Sequence, residues 1–309
     1  MSANESWSQY WAQGHKTSFG NSFSGCYEGK LKDKWLEILT GVTPQSEVLD
    51  LCTGNASIIR LAQQSITNFS EITYTGVDYA DIAIENDVLS MKNINLLFKV
   101  DVTDLPLPAN YYDLVTSNFG IEYSDFNKSL LEVSRVLKPK GKFEFICHHI
   151  DSQLIKSSIK ELELLNMIFE QSGAIDCLEG LIVELKRLDD GITDNEAELW
   201  RSRVNESLAL LAEKFNSNFY SCDFLAFLKH VLKPTIKEKQ QEFNFFKLEL
   251  SGYRTRLHKM VEAAFDLVKS NKFKELSESL GFDEFGCEII KDENGVVGLR
   301  VSATKAMVY

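Results

Sequence analysis

Several short apolar runs of this chain end in polar residues able to do chemistry: Asp50 through Asn55, then Asp78, Asp101, Asn118, and the pair His148 and His149. A carboxylate at such a position can accept two hydroxyl donors at once, the arrangement that a vicinal diol presents. An imidazole that is neutral near pH 7 can take a proton from a hydroxyl or an amine, which makes His148 and His149 the first general-base candidates. Glu122 and Tyr123 follow Asn118-Phe119-Gly120 closely and are the next side chains expected to meet a nucleophile. Each position has a plainer reading. An acid after a strand often caps a helix or forms a turn, and a buried histidine is often structural. Cys147 beside His148 suggests a metal, but neighbouring residues on a strand point to opposite faces, so no metal site is expected.

The elements that must position these residues alternate between short strands and helices. Glu47 to Cys52 reads as a strand, Thr53-Gly54-Asn55 as a tight turn, and Ala56 to Ala62 as a helix. Ile72 to Asp78, Asn95 to Val100, Tyr112 to Asn118 and Gly141 to His148 read as further strands. Helical patterns fall at Asp81 to Met91 and at Phe126 to Leu137, the latter stopped by Pro139 and Gly141. Strands and helices at this spacing imply right-handed crossovers and a parallel sheet. From Asp151 to about Lys269 the rhythm gives way to a long polar, helix-patterned stretch. It returns with a helix over Lys272 to Leu280 and two strands, Glu288-Ile-Ile290 and Val296 to Val308, joined at Glu293-Asn-Gly295. The last strand should therefore run antiparallel.

In an open parallel sheet, ligands bind at the carboxyl ends of the strands near the reversal of strand order. The residues found there, in Val48-Leu-Asp-Leu-Cys-Thr-Gly-Asn55, Val77-Asp78, Lys99-Val-Asp-Val102, Asp113-Leu-Val-Thr-Ser-Asn-Phe119 and Leu131-Glu-Val-Ser-Arg-Val-Leu-Lys-Pro-Lys-Gly141, resemble the class I S-adenosylmethionine-dependent methyltransferases. The resemblance covers about Ser46 to His148. It implies a Rossmann-like, doubly wound, seven-stranded sheet, mostly parallel with an antiparallel C-terminal hairpin strand, plus a helical cap insertion. Residues 1–45 would be an N-terminal helical lid segment, 46–150 and 270–309 the cofactor-binding core, and 151–269 the cap.

The same resemblance implies S-adenosyl-L-methionine as methyl donor and assigns residues to it. The Asp50, Cys52, Thr53, Gly54, Asn55 turn would pass under the methionine part, with Asp50 near its ammonium. Asp78, next to Tyr79, would take the ribose hydroxyls, Asp101 and Val102 the adenine, and Asn118 and Phe119 would lie beside the sulfonium. Cys52 and Asn55 stand where the family commonly has glycines, and Asn is expected to tolerate the positive φ required. Tyr10 to Gly20 could fold over the donor, with His15 and Phe19 as lid contacts. Aromatic residues of the cap, among them Trp200, Phe243 and Phe245, are expected mostly in its core.

The charge balance, 33 basic against 45 acidic residues for a net −12, opposes extended nucleic acid as a partner. The start of the chain has no leader pattern and no apolar run is long enough for a bilayer, so a cytoplasmic location is the expectation. Six scattered cysteines without a Cys-x-x-Cys pair are read as reduced thiols. The expected activity is methyl transfer to an O or N nucleophile of a small or medium-sized acceptor, with a homodimer through the cap as a further expectation. Two rivals stand beside it: an NAD(P)-dependent oxidoreductase, disfavoured by the missing glycines, and a non-catalytic scaffold that holds a partner through its cap.

Overall fold

The structure is a computed structural model that describes residues 3–12, 28–82, 84, 91–191, 196–220, 222–233 and 237–307. It divides into two compact units, one of residues 157–258 and one formed by residues 2–156 together with 259–309. The helical unit is thus narrower at both ends than the 151–269 expected from sequence.

The larger unit is built on a seven-stranded sheet: β1 (Glu47–Leu51), β2 (Thr73–Asp78), β3 (Ile94–Phe98), β4 (Tyr112–Asn118), β5 (Leu137–Cys147), β6 (Phe282–Asp292) and β7 (Gly295–Lys305). Their order is β3-β2-β1-β4-β5-β7-β6. The first five strands pair in parallel, while β7 pairs antiparallel with both β5 and β6. Around it lie α1 (Ala3–Ala12), α2 (Gly29–Thr40), α3 (Ser57–Ser65), α4 (Phe126–Val136) and α11 (Leu267–Ser279).

Period-two alternation along β1 explains how the sheet is held on both faces. Val48 packs with Trp35, Leu39, Ile58 and Tyr74 on one face, and Leu49 and Leu51 pack with Val115, Phe143, Phe145 and Phe273 on the other. Asp50 shares its strand face with Val48, so it points toward α2 and α3. The Leu131–Gly141 motif has a local structural purpose. Arg135 donates to the Leu105 and Leu107 carbonyls at 2.9 and 2.7 Å and forks onto both carboxylate oxygens of Glu132, one of which, Oε2, also accepts the Leu105 N–H at 2.7 Å. That clamp fixes the loop leading into β4.

Two strands are longer than expected. β5 begins at Leu137, directly after α4, because the chain continues extended through Pro139 with only a register shift opposite β4. β6 begins at Phe282; a bulge with Glu284 at φ 54° breaks the alternation that would have marked its first half. The helix expected over Asp81 to Met91 lies mostly outside the described residues, as do His15, Phe19, Cys26 and Val308.

The helical unit comprises the bulk of α5 (Gln153–Ile168), then α6 (Ala174–Asp189), α7 (Glu196–Phe215), α8 (Ser217–Tyr220), α9 (Asp223–Val231) and most of α10 (Lys239–Ala263). Gly180 lets α6 and α7 approach, since a methyl there would lie 2.5 Å from the Trp200 ring. Phe219, Phe224 and Phe243 are buried as expected, whereas Tyr220 and Phe245 remain exposed.

Candidate functional site

A cavity of about 450 Å³ opens at the carboxyl ends of β1, β2, β3 and β4, within the sheet-bearing unit. Its size suits a ligand of cofactor dimensions. It lies where strand order reverses, on either side of β1 and β4. The three acids singled out from sequence, Asp50, Asp78 and Asp101, all line it.

Their surroundings differ. Asp50 is buried, accepting from the Thr53 hydroxyl at 2.6 Å and the Thr116 hydroxyl at 2.8 Å. Asp78 is buried too, and accepts the backbone N–H groups of Gly54 at 2.8 Å and Ala80 at 2.9 Å. Burial pushes each carboxyl up to about 6, against the opposing pull of these hydrogen bonds. An ionised carboxylate has about four lone-pair positions, so both keep capacity for a ligand. Asp101 is exposed, and its carboxylate accepts from the Thr103 N–H and hydroxyl at 2.8 and 2.7 Å, so it forms a turn as well as a wall.

The turn after β1 holds a correction. Positive φ falls at alternate residues, Cys52 at 55°, Gly54 at 53° and Ala56 at 59°, and Asn55 is not among them. The expectation that Asn55 takes a glycine's place was displaced by one residue, and Ala56 fills that position. A non-glycine residue held left-handed costs roughly 1–2 kcal/mol, so the loop carries strain at two of three places. Gly54 is required, because a methyl there would lie 2.6 Å from Trp11. Gly76 is similar; its absent side chain lets Thr53 Oγ1 stand 2.9 Å from the place a Cβ would take.

Cys52, Thr53, Tyr79, Val102, Asn118 and Phe119 also line the cavity, as the resemblance implied; Gly54 and Asn55 do not, and act through the backbone turn. Asn118 is pinned by the indole N–H of Trp35, which donates to its Oδ1 at 2.8 Å. Its amide nitrogen has no hydrogen-bond partner among the described residues, leaving a buried donor unmet at the wall.

Of the four residues expected to carry catalysis, only Tyr123 faces the cavity. His148 is buried behind it, stacked on Phe119 with ring centroids 4.5 Å apart. Burial lowers its pKa to about 3, so it stays neutral. His149 is buried in a connection: its Nδ1 accepts the Asp151 N–H at 3.1 Å and its backbone bridges Phe265. Glu122 is buried as well, its Oε1 accepting the His148 N–H at 2.9 Å, and burial pushes it up to about 7. The placement of His148 and His149 at the end of β5 and of Glu122 just after β4 was legible from sequence, but none of the three lines the cavity.

Sequence reasoning missed Trp7, which with Trp11 lines the cavity from α1, and also Ser57, Ala80, Thr103, Lys128 and Lys259. Trp7, Tyr10 and Trp11 at helical spacing were the available signal. Ser8 ties the helix down by accepting the Asp81 N–H at 3.1 Å. Nothing in the local sequence marks Lys259, which comes from the far end of α10. Among the described residues, no cluster of potential metal ligands is present and no helix is long and apolar enough to cross a membrane.

Residues 38–145 match the methyltransferase domain family. Over 119 residues the chain is 32% identical to a ubiquinone/menaquinone biosynthesis C-methyltransferase of Rickettsia akari (strain Hartford), covering 36% of this chain and 47% of that one. Over 105 residues it is 31% identical to a demethylmenaquinone methyltransferase of Staphylococcus aureus (strain MRSA252), covering 33% and 42%. The chain thus spans about half the length of the curated relatives it matches. Among solved structures, an S-adenosylmethionine-dependent methyltransferase of Methanococcus maripaludis aligns over 99% of this chain and 91% of its own, at 15% identity and a TM-score of 0.44.

Proposed function

We propose, from the premise that residues 38–145 form a methyltransferase domain, that the protein transfers the methyl group of S-adenosyl-L-methionine to a small or medium-sized acceptor. The observation that carries the reading is the convergence of the Asp50 and Asp78 carboxylates, from adjacent strands, on one cavity of about 450 Å³. The residues present fit the donor. Asp78 is placed to accept the two ribose hydroxyls, and Asp101 with Val102 to receive the adenine. Asp50, steadied by Thr53 and Thr116, offers negative charge to the ammonium end, and the unmet Asn118 amide offers a donor.

The bound donor supplies a methyl on positively charged sulfur, already activated toward in-line attack. The protein's tasks are then alignment and exclusion of water. Trp7, Trp11 and Phe119 provide apolar wall for both, and Tyr123 is the catalytic candidate that faces the cavity. His148, held by Glu122, is a positioning residue behind Phe119 and Tyr123, and His149 orders the connection after β5.

The acceptor atom is proposed to be oxygen or nitrogen. A second reading, carbon, is favoured by the name of the Rickettsia akari relative, a C-methyltransferase, and by a cavity lined by no histidine among the described residues. Product analysis by mass spectrometry and NMR separates the two. The donor reading is tested by calorimetry with S-adenosylhomocysteine. Saturable binding that Asp78→Asn weakens about tenfold supports it, in line with the loss of a charge-assisted hydrogen bond. No heat at millimolar ligand, or binding of NADH in its place, overturns it.

A further inference from the structure

Phe119, Tyr123 and Trp7 stand as a chain of rings along one wall of the cavity. Tyr123 meets Trp7 edge-on at 5.7 Å and meets His148 edge-on at 6.1 Å, and His148 in turn stacks on Phe119 at 4.5 Å. Phe119, Tyr123 and Trp7 are all residues of the cavity wall. Trp11 lies 6.3 Å from Trp7, nearly parallel to it, and rests on Gly54. An aromatic face is attractive to a cation and largely indifferent to a neutral group of the same shape.

The topology indicates which part of a ligand these rings meet. Asp78 and Asp101 follow β2 and β3 on one side of β1, and Asn118 with Phe119 closes β4 on the other. A donor lying with its adenosine over β2 and β3 carries its sulfur over β1 and β4, against the rings. We propose that Phe119, Tyr123 and Trp7 form an aromatic corner that recognises the positive charge on the donor's sulfur, and so discriminates the methylated donor from the neutral thioether left after transfer. The inference rests on the donor reading above and extends it to a specificity device.

The buried His148 acquires a purpose in this arrangement. As a neutral ring it buttresses Phe119 and Tyr123 without placing a competing positive charge behind them. The device also favours turnover, because loss of the positive charge from sulfur weakens the hold on the spent donor.

The test compares calorimetric affinities of the protein for S-adenosylmethionine, S-adenosylhomocysteine and sinefungin, in which a carbon bearing a protonated amine replaces the methylated sulfur. The variants are Trp7→Leu, Trp7→Phe and Tyr123→Leu. Trp7 belongs to α1, outside the sheet, and circular dichroism reports whether each variant is folded. In Trp7→Leu and Tyr123→Leu the preference for the two cationic ligands over the thioether should fall by about five- to tenfold, and in Trp7→Phe by less. If leucine weakens all three ligands by the same factor, the rings contribute contact area alone and the inference fails. If wild-type protein binds none of the three, the donor reading itself has failed.

Discussion

Cys52 and Gly120 occupy one space, and exchanging which of them carries a side chain tests how the strained loop is held. A Cβ added at Gly120 would lie 2.3 Å from the Cβ of Cys52, 3.1 Å from its sulfur and 3.2 Å from the Ser117 hydroxyl. Real Cβ atoms do not approach so closely, and Cys52 has little room to retreat because its backbone is fixed at φ 55° directly after β1. Gly120→Ala should therefore cost about 3 kcal/mol, the upper end of overpacking. Cys52→Gly removes roughly 1–2 kcal/mol of left-handed strain and forfeits about 1 kcal/mol of burial, so alone it should change stability by less than about 1 kcal/mol. In the double variant the 2.3 Å clash vanishes, leaving only the 3.2 Å contact with Ser117. A coupling of about 2 kcal/mol in favour of the pair is the expected outcome. Urea unfolding of wild type, both single variants and the double variant at one pH, followed by circular dichroism, measures it. Effects that add to within about 0.5 kcal/mol would refute the claim that these two side chains compete for one place.

Further outcomes follow from the same geometry. Because burial raises Asp50 and Asp78 to about 6, donor affinity should increase as pH rises through 6 and both carboxylates ionise; a titration series by calorimetry between pH 5 and 7.5 reads this. The free protein should show the opposite trend from these groups, since a raised folded pKa gives stability that is complete below the unfolded value of 3.8 and is lost as pH climbs through about 6. Gly76→Ala, whose new methyl would sit 2.7 Å from Leu96 and 2.9 Å from Thr53 Oγ1, should dislodge the Thr53–Asp50 hydrogen bond and weaken S-adenosylhomocysteine binding by about tenfold. Trp35→Phe removes the bond to Asn118 and should cost about 1–2 kcal/mol, visible as a lower unfolding midpoint. We also propose a homodimer through the helical unit, supported by exposed Leu199, Leu210, Tyr220, Phe245 and Leu248; light scattering after size exclusion should give twice the 35.1 kDa chain mass, and a monomer across the micromolar range would dispose of it.

What the sequence made legible follows from physics that acts locally. β4 was readable to the residue because the strand-favouring Tyr112, Val115 and Thr116 fall between the turn formers Asn110 and Gly120. The acids Asp50 and Asp78 were readable because strand ends in a parallel sheet converge on one crevice. Direction within an element was harder. His148 and His149 end the right strand, yet the packing of Phe119 on one and the Asp151 turn at the other decides where they point, and neither is encoded nearby. The left-handed positions at Cys52 and Ala56 were hidden for a related reason, since surrounding tertiary structure overrides the preference of those residue types. Lys259 joins the cavity wall only because α10 runs back into the sheet-bearing unit, a matter of long-range topology.

The antiparallel β7 joins β5 through a ladder whose members lie far apart in the chain: Arg300 forks onto Glu144 across a separation of 156 residues, both bonds 2.8 Å long. Loop-closure entropy grows only logarithmically, so spanning that distance in place of a connection one-eighth as long costs about 2 kcal/mol. One half-buried, two-pronged ion pair with its flanking ladder offsets a penalty of that size. The helical unit is consequently a cassette: evolution or an engineer can lengthen, shorten or exchange it between β5 and α11 at small thermodynamic expense, while the cavity is walled by residues outside it, Lys259 alone depending on how α10 returns.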